Sequence, residues 1–106
     1  GNDDLTAPLL SLGAKGVISV LSNVRPKRTL QMVRACQAGD YAAAGRMQVA
    51  LTPLIDALFS EINPIPVKQA LSLMGIPAGL PRLPLTPLSA THLPALEQAL
   101  SAAPEP

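Results

Sequence analysis

Gly16-Val17-Ile18-Ser19-Val20 reads as a β-strand, five residues rich in β-branched side chains and bounded by Gly16 on one side and Asn23 on the other. No other part of the chain offers a convincing strand. A strand without a neighbour leaves its backbone N–H and C=O groups unpaired, so the sheet that completes it is expected to come from outside these residues. The strand lies between two helical patterns, and helix, strand, helix is the rhythm of βα units. The most economical host is a parallel sheet or barrel whose other strands lie upstream.

Before the strand, residues 5–12 place Leu5, Leu9 and Leu12 at helical spacing with Leu10 beside them, and Gly13 supplies a stop. Asp3 and Asp4 stand where a helix N-terminus favours negative charge. After it, Pro26 suits a first helical turn, and Leu30, Val33, Ala35 and Gln37 lead to a stop at Gly39. Asp40 is positioned to cap a longer helix whose Met47, Ala50, Leu51, Leu54, Ile55 and Leu58 form an apolar stripe, with a bend expected at Pro53. Asn63-Pro64-Ile65-Pro66 breaks that helix, and Pro66 opens another that runs to Gly75 with Val67, Ala70, Leu71 and Met74 inward. Closely spaced prolines make residues 77–87 an extended linker. Ser89 is expected to cap a last helix burying Leu93, Leu96 and Leu100, and residues 102–106 to fray.

Composition narrows the function. The 106 residues suffice for one small core burying roughly two-thirds of the unfolded surface. Apolar residues make up 48%, but Phe59 and Tyr41 are the only aromatics, which favours packed helices filled by aliphatic side chains. Eight Lys and Arg against seven Asp and Glu leave a formal charge of +1, too balanced for a nucleic-acid surface. Arg25, Lys27, Arg28 and Arg34 cluster without an aromatic for a base to stack on and read as a solvated helix face. The single cysteine, Cys36, excludes an internal disulfide, fits a reducing cytoplasm, and reads as a small buried apolar residue rather than a nucleophile. The longest stretches free of Asp, Glu, Lys and Arg, residues 69–81 and 83–96, are too short and proline-rich to cross a membrane as helices. The chain opens on the turn residues Gly1-Asn2-Asp3-Asp4 with no initiator methionine and is expected to begin inside a longer protein.

Few residues could carry chemistry. His92 is the only histidine and reads as a surface residue, with no metal-ligand set around it and no G-x-S-x-G turn to make it part of a serine triad. Gly13-Ala14-Lys15-Gly16 precedes the strand, the wrong side for a phosphate-cradling loop. The Gly1-Asn2-Asp3-Asp4 loop and the end of the 16–20 strand are the two features with positional meaning, because in a βα barrel both open onto the mouth where active sites sit. Taken alone, Asp3 and Asp4 read first as a plain helix start, and Ile18 as barrel filling.

Four segments in order resemble a known family: Gly1-Asn2-Asp3-Asp4; Gly16-Val17-Ile18-Ser19-Val20 with Asn23-Val24-Arg25-Pro26; Asn63-Pro64-Ile65-Pro66-Val67-Lys68; and Arg82-Leu83-Pro84-Leu85-Thr86-Pro87. The chain is similar along nearly its whole length to the dihydrodipicolinate synthase and N-acetylneuraminate lyase group of pyruvate-handling class I aldolases. The resemblance implies an α/β fold, the C-terminal portion of a (β/α)8 TIM barrel. It places the end of the seventh strand, the seventh helix, the eighth strand and the eighth helix in residues 1–39, and a helical C-terminal appendage in residues 40–106. Within these residues the chain is expected to be mostly helical.

By the same resemblance the complete enzyme is a lyase. It binds pyruvate as a Schiff base on a barrel lysine and condenses it with L-aspartate-4-semialdehyde, a step of lysine and diaminopimelate biosynthesis that needs no cofactor and no metal. The sixth-strand lysine and fifth-strand tyrosine that the family uses belong upstream. No catalytic residue is assigned here, Lys15 and Lys68 do not match the lysine position, and the chain alone is expected to be inactive and poorly stable. Gly1 and Ile18 would face the keto acid mainly through their backbones, and Asn2, Asp3 and Asn63 would stand at the rim where the second substrate enters. Synthases commonly carry Asp where this chain has Asn2. The run Val17-Ile18-Ser19-Val20 resembles the synthase branch more than the sialic acid lyases. Another pyruvate lyase of the family, such as an N-acetylneuraminate or keto-deoxy sugar acid aldolase, and a non-catalytic helical interaction module are the alternatives. The implied partners are pyruvate, an aldehyde, the upstream barrel segment, and further copies of the protein in a homotetramer or dimer, with residues 5–12 at the contact between dimers. Neither nucleic acid nor membrane is among them.

Overall fold

In a computed structural model, residues 2–106 are described; Gly1 lies outside them. Among the described residues there are five α-helices, α1 (Thr6–Ser11), α2 (Pro26–Gln37), α3 (Tyr41–Leu58), α4 (Ile65–Leu73) and α5 (Leu93–Ala102), with short 3-10 turns at Asp3–Leu5 and Leu21–Asn23. No strand is formed among them: residues 14–19 run between α1 and the second turn without regular structure. The β-branched residues there favour an extended backbone, but a ladder exists only where a second strand supplies the opposing groups.

α3 is the central element and touches the other four helices. Leu51, Leu54 and Leu58 on its inner face meet Leu21 and Val24, Met32 of α2 and Leu96 of α5 in a core where each is at most 1% exposed. Full burial of one such leucine contributes about 2 kcal/mol. The buried face of α3 is Ala44, Gln48, Leu51, Leu54, Ile55, Ala57 and Leu58. The phase therefore differs from the expected stripe. Ala50 is exposed, and the polar Gln48 takes an inward position one turn from Leu51. Pro53 lies inside α3 without interrupting it, and Val49, whose carbonyl forgoes the helical bond Pro53 cannot make, is 72% exposed. Asp40 caps this helix as expected, accepting the Ala43 N–H at 3.1 Å.

The helix stops follow the glycines. Gly13, Gly39 and Gly75 all have positive φ, and at Gly39 a φ of 80° turns the chain directly from α2 into the Asp40 cap. Three expectations near the C-terminus are corrected. α5 begins at Leu93 with His92 at its N-cap position, so Ser89 does not cap it. Met74, expected inward on α4, is 37% exposed.

The tail does not fray, because Ala103 is 7% exposed and residues 103–105 are tied to the start of α2. The basic cluster is the reason. Arg25 is buried rather than solvated: its Nε donates to the Ala103 carbonyl, its Nη2 to Leu100 O at 3.0 Å and its Nη1 to Val24 O at 2.6 Å. Arg28 donates to the Pro104 carbonyl. Glu105 in turn accepts the Lys27 and Arg28 N–H groups at 3.0 and 3.1 Å, filling the open donors of the first turn of α2. Burial pulls the Arg25 guanidinium below its ordinary value, while Glu105 acts in the opposite direction and Arg28 adds to the lowering.

Candidate functional site

The start of the chain and the end of the 14–19 segment are joined by one side chain. Asp3 is 1% exposed, and its carboxylate accepts the Ser19 hydroxyl through Oδ1 and the Val20 and Leu21 N–H groups, each at 3.0 Å, through Oδ2. Val20 and Leu21 head the second 3-10 turn, so the carboxylate fills donors that the turn itself leaves open. Ser19 completes the junction, since its Oγ also accepts the Ser22 N–H at 2.9 Å. Asp3 is thus neither a solvent-facing helix start nor an open carboxylate. Its charge is fully engaged in holding residues 19–21 against the first turn.

The backbone of Asp3 is held from the opposite side. Gln48 Nε2 donates to Asp3 O at 2.9 Å, and Gln48 Oε1 accepts the Ala7 N–H at 3.0 Å. The Thr6 hydroxyl adds a bond to Asp3 O at 3.2 Å. Sequence reasoning missed Gln48 because a glutamine within a long amphipathic helix looks like a surface residue. The available signal was its spacing from Leu51 and Ile55, three and seven residues on, which puts it on the inner face.

Asn2, Asp3 and Asp4 share a cleft of about 270 Å³ with Ile55, Asp56 and Phe59 of the α3 end. Two of the expected rim residues, Asn2 and Asp3, are therefore brought together; Asn63 is exposed and does not line this cleft. The Ile18 side chain is 86% exposed within these residues. The expectation for Gly1 falls outside the described residues. Lys68 Nζ donates to Ala78 O at 3.1 Å, tying α4 to the proline-rich linker.

Two side chains singled out in the sequence have different surroundings. Cys36 is 5% exposed, and burial pushes its thiol pKa up, the opposite of what a nucleophile needs. His92 is not a bare surface residue. Its Nδ1 lies 2.6 Å from Glu61 Oε2, the oxygen that also accepts the Ser89 hydroxyl at 2.8 Å and the Ser89 N–H at 3.0 Å. The Ser89 hydroxyl is 3.2 Å from the same Nδ1. A hydrolytic triad needs serine and carboxylate on opposite ring nitrogens, so this group is a cross-link between the end of α3 and the approach to α5. The bonds from His92 and then Ser89 hold the Glu61 carboxyl below its usual range. Among the described residues no group of three or more His, Cys, Asp or Glu could hold a metal ion, and no helix is long and apolar enough to cross a membrane.

The model of the "Dihydrodipicolinate synthetase family" matches residues 1–103. A 4-hydroxy-tetrahydrodipicolinate synthase from an Exiguobacterium strain is 52% identical over 102 residues, covering 92% of this chain and 35% of the relative. The synthase of the same name from Methanocaldococcus jannaschii is 50% identical over 100 residues, covering 94% of this chain and 35% of its own length. The crystal structure of dihydrodipicolinate synthase from Thermotoga maritima superposes with a TM-score of 0.92 at 44% identity, over 95% of this chain and 34% of that one. The chain spans about a third of the length of the curated relatives it matches.

Proposed function

Since the chain belongs to the dihydrodipicolinate synthetase family, we propose that it supplies the C-terminal third of a Schiff-base aldolase condensing pyruvate with L-aspartate-4-semialdehyde to 4-hydroxy-tetrahydrodipicolinate. Residues 1–39 close a (β/α)8 barrel and residues 40–106 form its helical appendage. The observation that carries this reading is the Asp3 junction. It fastens the loop holding Asn2 to the segment holding Ile18, the two places that must share one face if both border a barrel mouth.

In this reaction a barrel lysine outside these residues attacks the pyruvate carbonyl and water leaves, giving an imine. A lysine suits this step because burial lowers its pKa and leaves a neutral amine. Loss of a methyl proton converts the imine to an enamine, whose carbon then attacks the aldehyde. The backbone of Ile18 lines the keto acid. Asn2 and Asn63 meet the incoming aldehyde at the rim, and Asp3, its carboxylate occupied, serves that rim by fixing where Asn2 stands. The protein acts as a cytoplasmic homo-oligomer, with α1 at a contact between copies; α1 and its edge leave Leu9 44% and Leu12 83% exposed.

The complete enzyme is expected to consume pyruvate and L-aspartate-4-semialdehyde together. Turnover with a sugar aldehyde and not with the semialdehyde would move it to another branch of the family, and turnover with neither would end the aldolase reading.

A further inference from the structure

Among the described residues, Gln48 is the only polar side chain on the buried face of α3. An amide in that position costs stability unless both its ends are satisfied, and an apolar side chain of the same size would fill the space without that cost. Both ends are satisfied, and by groups of one kind. Nε2 donates to Asp3 O at 2.9 Å, and Oε1 accepts from Ala7 N at 3.0 Å, one of the N–H groups that the first turn of α1 leaves without a helical partner. Gln48 thereby grips the chain on both sides of α1's start, at points four residues apart. The gripped residue, Asp3, is the one whose carboxylate holds Ser19, Val20 and Leu21. A continuous relay runs from α3 through the buried Asp3 to Ser19, Val20 and Leu21, part-buried at Ser19 and Val20, and Asn2 is bonded directly to the gripped residue.

We propose that Gln48 is a positioning residue for the second-substrate rim, setting through Asp3 where Asn2 stands; this rests on the aldolase reading above. It assigns the helical appendage a part in catalysis: α3 holds the wall of the site from behind. Small misplacements of a substrate-contacting group are costly in rate even when the fold survives.

The test uses the complete enzyme. Gln48→Met keeps side-chain length and apolar packing and removes both bonds. It is expected to raise the KM for the aldehyde about tenfold while the borohydride-trapped pyruvate adduct forms as in the unsubstituted enzyme, because the lysine lies elsewhere. Ser19→Ala loosens the far end of the same relay and should raise the aldehyde KM in the same direction. The double variant should fall short of the product of the two effects. A lower Tm with unchanged aldehyde KM in Gln48→Met overturns the proposal. So does an unchanged aldehyde KM in Ser19→Ala, which decides the matter if Gln48→Met does not fold. Failure of the unsubstituted enzyme to trap pyruvate would instead remove the aldolase reading, and the proposal with it.

Discussion

Two buried charges organise this chain, and they work in opposite senses. Asp3 puts an anion on open N–H groups at the head of a 3-10 turn, and Arg25 puts a cation on the Leu100 and Ala103 carbonyls at the end of α5. Each obeys the polarity of the helical end it meets. Their consequences differ because of what lies next to them. Asp3 lines the cleft beside Asn2, a residue assigned to the substrate rim, whereas Arg25 fastens a C-terminal tail to α2 and makes no side-chain hydrogen bond to a residue that lines the cleft. On the proposed reading, the same physical device serves positioning at one site and cohesion at the other.

Substitutions can break this comparison. The largest effect is expected from Asp3→Ala, which strips a charged acceptor from three donors at once and should cost about 4 kcal/mol in denaturant unfolding of the complete enzyme. What survives should show a raised aldehyde KM. Arg25→Met should cost about 3 kcal/mol by releasing the tail, with the aldehyde KM unchanged. If both variants shifted KM equally, the distinction between positioning and cohesion would fail. Asp40→Ala removes the cap of α3, the helix that carries Gln48, and should lower stability by about 1 kcal/mol, read as a lower Tm with normal KM.

The smallest effect is a pH dependence at the cross-link of Glu61, Ser89 and His92. A depressed carboxyl pKa means that the folded protein holds this proton less readily than the unfolded chain. The contribution to stability is complete above the ordinary glutamate value and is lost as pH falls through the lowered one. Glu61→Gln should therefore lower stability slightly in the neutral region, flatten the acid limb of the profile, and leave stability at the most acidic pH nearly as it was.

The helices were legible because each carries its own local signs. Gly39 and Asp40 mark the passage from α2 to α3, Pro66 lies in the first turn of α4, and the spacing of Leu51, Leu54 and Leu58 fixes an inner face. What stayed hidden depends on partners distant in sequence. Arg25 looks solvated beside Lys27 and Arg28 until residues 100–105, more than seventy positions away, bring carbonyls to it. Glu61 and His92 are likewise thirty-one residues apart, so the histidine looked alone. Gln48 went unread for a different reason: hydrophobic periodicity is blind to a buried amide, and placing Ala50 on the stripe moved the phase away from it. For the candidate site, the loop bearing Asn2 and Asp3 was singled out because such a loop opens onto a barrel mouth. The engagement of Asp3 by Ser19, Val20 and Leu21 was not, since acidic residues at a helix start ordinarily face water. The segment around Ile18 was read as a strand from its residue types, and strand formation is a property of pairing that these residues alone do not decide.

The most direct measurement is borohydride trapping of the complete enzyme in the presence of pyruvate, followed by peptide mass analysis. A reduced pyruvate adduct on a lysine outside residues 1–106 is the expected result. Absence of an adduct, or its appearance on Lys15 or Lys68, would contradict the assignment of this chain as the supporting wall of a Schiff-base aldolase.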